Sequence, residues 1–235
     1  MGSLLLIGLL IGMRHALEAD HVAAVASLVS RKQSLSHTIE QGGAWGLGHT
    51  ITLFLFGSIV LFMDTIMPEY LVKWLEITVG VMLVLLGGDV LRWVIRDKVH
   101  FHSHKHNNGD YHFHAHAGEL RAKHDASQHD HSHSRGFPLR ALMVGMMHGM
   151  AGSAAVILLA LGTVTSPLQG LLYILMFGIG SMVGMALLSA IISIPLRLSA
   201  KRLTWMHSGF QVLIGVLTIG LGFMVIYQNS QFLLA

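Results

Sequence analysis

The sequence predicts an all-α membrane protein of six transmembrane helices, arranged as two inverted three-helix repeats. Three observations carry this expectation. Of 235 residues, 53% are hydrophobic and only 11% charged, whereas a soluble domain carries about 25% charged residues. Six stretches approach the roughly 20 mainly apolar residues that a bilayer crossing needs. Short motifs also recur in the same order in the two halves of the chain.

The predicted spans are 4–29, 43–63, 71–95, 139–163, 168–194 and 203–227. The first is the unusual one, because an apolar start is followed by Arg14, His15, Glu18, Asp20 and His21 before the mostly apolar residues 22–29. Residues 22–29 alone are too short to cross, while 4–29 together have the right length. Residues 1–96 then form a first three-helix repeat, 97–136 a connection, and 137–235 a second repeat. No basic n-region opens the chain and no A-x-A-like site follows, so a cleavable signal peptide is not expected.

Charge gives the orientation. Arg31 and Lys32 lie in the first connection. Arg92, Arg96, Lys98, Lys105, Arg121, Lys123, Arg135 and Arg140 lie in or beside the third, and Arg197, Lys201 and Arg202 mark the fifth. The second and fourth are almost free of basic residues. By the positive-inside rule, connections one, three and five face the cytoplasm of a cell membrane, and both termini lie outside. The formal net charge of +3 therefore speaks to topology and gives no support to nucleic-acid binding.

The halves echo each other. "GMRH" at 12–15 returns as "GMMH" at 145–148, and "WGLGHT" at 45–50 returns as "FGIGSM" at 177–182. Because each half has an odd number of spans, the second copy enters the membrane inverted, the plan of many transporters whose site lies near the midplane. At about 1.5 Å per residue, His15 and His148 both lie roughly 15–18 Å along their spans, from opposite sides. His49 sits in the second span, nearer the cytoplasmic face.

An Arg or Asp at the centre of a span costs about 2.5–3.5 kcal/mol, so this cluster asks for a compensating role. Arg14 and Glu18, four residues apart, can pair. His15, Glu18 and His21 form one slanting stripe on a straight helix, with Asp20 about 140° from His15. Convergence on one ion thus needs either a helix that opens near residues 12–16 or a division of labour, one carboxylate ligating and the other supporting a ligand. With no cysteine in the chain, only nitrogen and oxygen donors are available. Imidazole with carboxylate suits a divalent transition metal without naming one. The expected metal residues are His15, Asp20, His21, His49 and His148, with Arg14, Glu18 and Ser153 along the pathway or behind the ligands. Lys73, Glu76 and Asp89 lie toward the ends of the third span, where snorkelling accounts for them. His207, near a helix end, receives no role.

The connection between the halves holds eleven of the 17 histidines: His100, His102, His104, His106, His112, His114, His116, His124, His129, His131 and His133. Little apolar content accompanies them beyond Phe101, Tyr111 and Phe113, so the segment is expected to be disordered without metal and to bind metals with low selectivity.

These residues resemble the nickel/cobalt transporter (NiCoT) family, whose helical hallmark R-H-A-x-D-A-D-H stands here as Arg14-His15-Ala16-Leu17-Glu18-Ala19-Asp20-His21, with Glu18 in place of Asp. A second family motif, L-G-H-[ST], matches Leu47-Gly48-His49-Thr50. The family's acidic motif in the second half is absent. "HGMAGSAAV" at 148–156 stands there instead, more like the urease-accessory-type branch related to these permeases. The resemblance implies permeation of Ni²⁺ or Co²⁺ as the transported ion, with His15, Asp20, His21 and His49 lining the route. It implies nickel-enzyme maturation proteins as partners.

No enzymatic activity, catalytic residue or resident cofactor is expected, and no GxxxxGK[ST] phosphate loop occurs. Uptake is the expected direction, with efflux by the same architecture and a non-conducting nickel-handling accessory protein as alternatives. An intramembrane metal-dependent hydrolase is a remote third, for lack of a separate nucleophile or general base.

Overall fold

The computed structural model describes residues 2–30, 34–63, 68–96, 100–105, 111–116, 138–163, 166–202 and 204–234. Within these, the side chains of 100–105, 111–116, 152–163, 199–202, 204–206 and 232–234 are excepted. Seven helices account for almost all of it: α1 (Gly2–His15), α2 (Ala19–Val29), α3 (Leu35–Met63), α4 (Glu69–Arg96), α5 (Leu139–Thr163), α6 (Pro167–Arg202) and α7 (Thr204–Leu234). In the long connection, β1 (His100–Lys105) and β2 (Tyr111–His116) pair as an antiparallel ribbon. Its register sets His100 opposite His116, His102 opposite His114 and His104 opposite His112. Alternation of histidine with other residues has the period of two that a strand requires. His106, His124, His129, His131 and His133 lie outside the described residues.

Among the described residues, four helices are each long and apolar enough to cross a membrane: α3, α4, Pro167–Leu198 of α6 and His207–Gln231 of α7. The pair α1–α2, bent by 60° at a short break, makes a fifth if it is one span. The distribution of side chains is that of a membrane protein. Leu85, Leu187, Leu217 and Phe223 point outward, while His21, His49, His148, Gln211, Thr218 and Ser181 are buried. Apolar residues can face outward at this density only where the surrounding medium is apolar too.

Helix directions follow from their contacts. Gly46 lies against Met182 and Thr50 against Gly178, so α3 and α6 run antiparallel. Gly80 meets Gly222 and Gly87 meets Gly215, which makes α4 and α7 antiparallel as well. In contrast, Gly145 lies against Trp45 and Gly149 against His49, so α5 runs parallel to α3. Likewise Gly8 meets Tyr173 and Gly12 meets Phe177, making α1 parallel to α6. Ser27 bonds to Thr218 at 3.0 Å and Gln211 donates to the Ser30 carbonyl at 2.7 Å, which sets α2 antiparallel to α7.

The contacts come in matched pairs. A Cβ on Gly12 would run into the Phe177 carbonyl, and one on Gly145 into the Trp45 carbonyl. Gly48 faces the Leu142 carbonyl as Gly180 faces that of Leu9. Where the backbones approach this closely no side chain fits, and that is why glycine recurs at these positions. Glycines four apart at 42 and 46 and at 180 and 184 pack within the chain in the same way: Gly42 lies on Met185 and Ser189, and Gly184 on Met13 and Ala16.

Candidate metal centre

The centre is built at the break between α1 and α2. Helix α1 ends at His15, the chain turns through residues 16–18, and α2 restarts at Ala19. Tight bonds from Leu17 N to the Arg14 carbonyl (2.9 Å) and from Glu18 N to the His15 carbonyl (3.0 Å) close the turn. Glu18 is extended at φ −64°, ψ 148°, and its carbonyl starts the next helix by accepting from Val22 N at 2.9 Å. The opening expected at 12–16 thus lies slightly later. Gly12 is wedged against the Phe177 backbone, which holds the preceding turn in helical form.

The break solves the angular problem that a straight helix poses. His15 comes from the end of α1 and His21 from the first turn of α2, and their ring centroids stand 4.4 Å apart. His49 of α3 lies 5.4 Å from His15 and 5.3 Å from His21. His148 of α5 lies 4.1 Å from His21 and 6.0 Å from His49. Ligand atoms of His15, His21 and His49 all fall within 4.8 Å of one another, and those of Asp20, His21 and His148 make an overlapping group of the same size. All five residues expected to bind metal therefore come together, and His21 belongs to both groups.

Hydrogen bonds divide the nitrogens into two classes. His15 Nδ1–H donates to Glu18 Oε1 at 2.8 Å, and His21 Nδ1–H donates to Asp20 Oδ1 at 2.9 Å. Asp20 Oδ1 also accepts from the His21 backbone N–H at 2.8 Å, while Oδ2 accepts from His148 Nε2–H at 3.0 Å. A carboxylate that holds one ring N–H fixes the tautomer and leaves the other nitrogen with a free lone pair, the arrangement found behind metal-ligating histidines. The atoms left over are His15 Nε2, His21 Nε2, His148 Nδ1 and both nitrogens of His49, all buried and without a hydrogen-bond partner among the described residues. A buried polar atom without a partner costs about 1–3 kcal/mol, so several in one place mark a site shaped for something other than protein.

The remaining predicted residues separate clearly. Glu18 is spoken for by His15 and is 57% exposed, so it serves the cluster from its rim. It does not pair with Arg14, which is exposed; the extended backbone at Glu18 turns its carboxylate toward His15. The side chain of Ser153, like those of the connection histidines, lies outside the described residues. Outside the cluster, Lys73 reaches Glu76 at 3.9 Å, Arg140 pairs with Asp89 at 2.8 Å, and His207 Nδ1–H donates to the Leu196 carbonyl at 3.1 Å.

Three residues of the site escape a reading of ionisable groups. Trp45 is fully buried with its ring 5.5 Å from His21 and 5.6 Å from His148. Phe177 lies 5.1 Å from His15. Ser181 Oγ donates to the Gly12 carbonyl at 3.1 Å. The signal for all three is the echo of "WGLGHT" in "FGIGSM", which sets Trp45 beside Phe177 and His49 beside Ser181 in the matched positions of the two halves.

No protein-family model and no solved structure matches the chain. It is 33% identical over 240 residues to a urease accessory protein, UreH, of Bacillus sp. (strain TB-90), a match that covers 96% of this chain and 91% of that protein. Identity of that extent along nearly the whole of both sequences makes the chain a member of the UreH family of urease accessory proteins.

Proposed function

We propose that this protein is a permease for a divalent transition-metal cation, Ni²⁺ or Co²⁺, in a divergent urease-accessory branch of the nickel/cobalt transporter (NiCoT) family. The observation that carries the reading is the set of unpartnered imidazole nitrogens of His15, His21 and His49, buried among apolar helices, with Glu18 and Asp20 holding the opposite nitrogen of two of them. Such a set replaces the water that a dication gives up on leaving solution, and no thiolate is present to trap it. The relative's name, a urease accessory protein, favours nickel as cargo and nickel-enzyme maturation proteins as partners.

The architecture proposed is two inverted three-helix repeats, with α1–α2 as one broken span and α5 as the fourth. Its support is the pairing of contacts: exchanging the halves carries Gly12 against Phe177 into Gly145 against Trp45, and Gly80 against Gly222 into Gly215 against Gly87. Orientation rests on the basic residues, which place the start of α3 and the histidine-rich connection in the cytoplasm. The ion meets the three imidazoles, is passed by His21 to His148, both held in place by Asp20, and is collected by the histidines of the connection. No enzymatic role and no resident cofactor are proposed.

Radiometal uptake by proteoliposomes is the test. His15→Ala with His21→Ala abolishes flux while the protein is still inserted; unchanged flux removes the mechanism. Net movement outward in oriented vesicles identifies the efflux alternative. The relative's accessory name also favours a second reading, a non-conducting protein that hands nickel over. Deleting 100–133 separates the two, since a permease keeps substantial flux and a handover protein loses its function.

A further inference from the structure

We infer that Trp45 is the gate that closes the imidazole centre toward the end of the bundle where α3 begins, with Gln41 as its latch and Phe177 as the counterpart at the other end. This rests on the permease reading above and adds to it the moving part. The centre occupies one level of the fold. Gly149 lies against His49, and Gly145 against Trp45, so His148 stands level with residue 48 of α3. Gly12 against Phe177, in helices that run parallel, brings His15 to the same level.

Trp45 sits one turn before His49 on α3, about 6 Å toward the helix start at 1.5 Å per residue. Thr50 Oγ1 donates to the Gly178 carbonyl at 2.8 Å, so Phe177 of the antiparallel α6 stands just past His49 on the other side. The two rings therefore bracket the histidines along the path. Each packs on an imidazole, and both are almost wholly buried. Each also has its backbone carbonyl pressed on a glycine, Gly145 for Trp45 and Gly12 for Phe177.

What makes Trp45 a two-position element is its polar end. Among the described residues, the buried indole N–H has no partner, and neither does the buried amide oxygen of Gln41. Residues four apart on a helix are neighbours, so a swing of the ring off His21 and His148 allows Trp45 Nε1–H to donate to Gln41 Oε1. The closed position leaves two unmet polar atoms and the open one satisfies both. Packing on the imidazoles balances this, and an ion that draws those rings inward shifts the balance. Phe177 has no such polar atom, which makes the two gates unequal.

The chain has no native cysteine, so Ser181→Cys gives one reporter beside the centre, labelled by a membrane-impermeant thiol reagent in oriented vesicles. Alone it reacts slowly from both faces. Adding Trp45→Ala speeds labelling about tenfold or more from the face at which α3 begins and leaves the opposite face slow; Phe177→Ala does the reverse. Trp45→Phe and Gln41→Leu keep the slow labelling but lower Ni²⁺ flux several-fold, and Gln41→Leu does so at unchanged Ni²⁺ affinity, because the gate still closes and opens less. Nickel binding in detergent shows that each variant has kept its centre, and Trp45→Phe covers the case in which Trp45→Ala does not fold. Equal acceleration from both faces, no acceleration in a nickel-binding Trp45→Ala, or full flux in Gln41→Leu overturns the gate. Absent flux in the parent with sided labelling intact would instead overturn the permease reading and leave the gate standing.

Discussion

Replacing Asp20 by Asn should weaken nickel binding more than replacing Glu18 by Gln, although each carboxylate is one hydrogen bond away from a ligating ring. Asp20 uses both oxygens: Oδ1 takes the His21 backbone N–H and ring N–H, and Oδ2 takes His148. Asn keeps one acceptor and turns an NH₂ toward a ring that is itself a donor. One imidazole must then change tautomer or lose its orientation. Outer-shell partners of metal-bound histidines are worth about 10–100-fold in affinity, and orienting two rings from a partly buried position, 31% exposed, puts Asp20 toward the upper end, about 2.7 kcal/mol. Glu18 holds a single ring and is 57% exposed, so water can replace much of what it does and about tenfold or less is expected. Calorimetry of Ni²⁺ binding to the detergent-solubilised protein, with a competing chelator, reads both. A Glu18→Gln loss equal to or larger than that of Asp20→Asn, or an Asp20→Asn loss below about threefold, would refute the division of labour assigned to the two carboxylates.

Further expectations concern packing and protons. Gly12→Ala and Gly145→Ala each force a methyl against a backbone carbonyl and should destabilise the protein by about 1–3 kcal/mol, read as a lowered unfolding midpoint in detergent of similar size for the two. Arg140→Ala removes only an exposed pair with Asp89 and should change stability by about 1 kcal/mol or less in the same assay. Nickel affinity should fall as the pH is lowered, because protons compete for the nitrogens the ion uses; the sign is fixed, since only neutral imidazole ligates. A titration by calorimetry that finds affinity rising toward acid would contradict imidazole ligation.

The membrane character and the meeting of His15, His21 and His148 are legible in the sequence, since ionisable groups are costly within apolar segments and gather there only when something compensates them; His49, expected nearer the cytoplasmic face, instead stands among them, because α3 begins at Leu35, well before the span expected from residue 43. The need for a break in the first span is legible too, because one straight helix cannot aim His15 and Asp20 at one point. Its position is less so: residues 16–18 open because Glu18 is drawn to His15, a contact that competes with an equally plausible pair to Arg14. The bridging of His21 and His148 by Asp20 is out of reach, since it joins residues 128 apart in sequence. Trp45 and Phe177 are marked only by the echo of "WGLGHT" in "FGIGSM"; an aromatic residue in an apolar helix carries no ionisable signal of its own, so their place against the imidazoles waits on the neighbours.

Three nitrogens from the protein do not fill the coordination sphere of a first-row dication. Positions left over would admit water or the next donor to an ion held there as proposed. An incomplete cage of imidazoles leaves its metal open to exchange with an incoming ligand, the feature that separates an open site from a closed structural one.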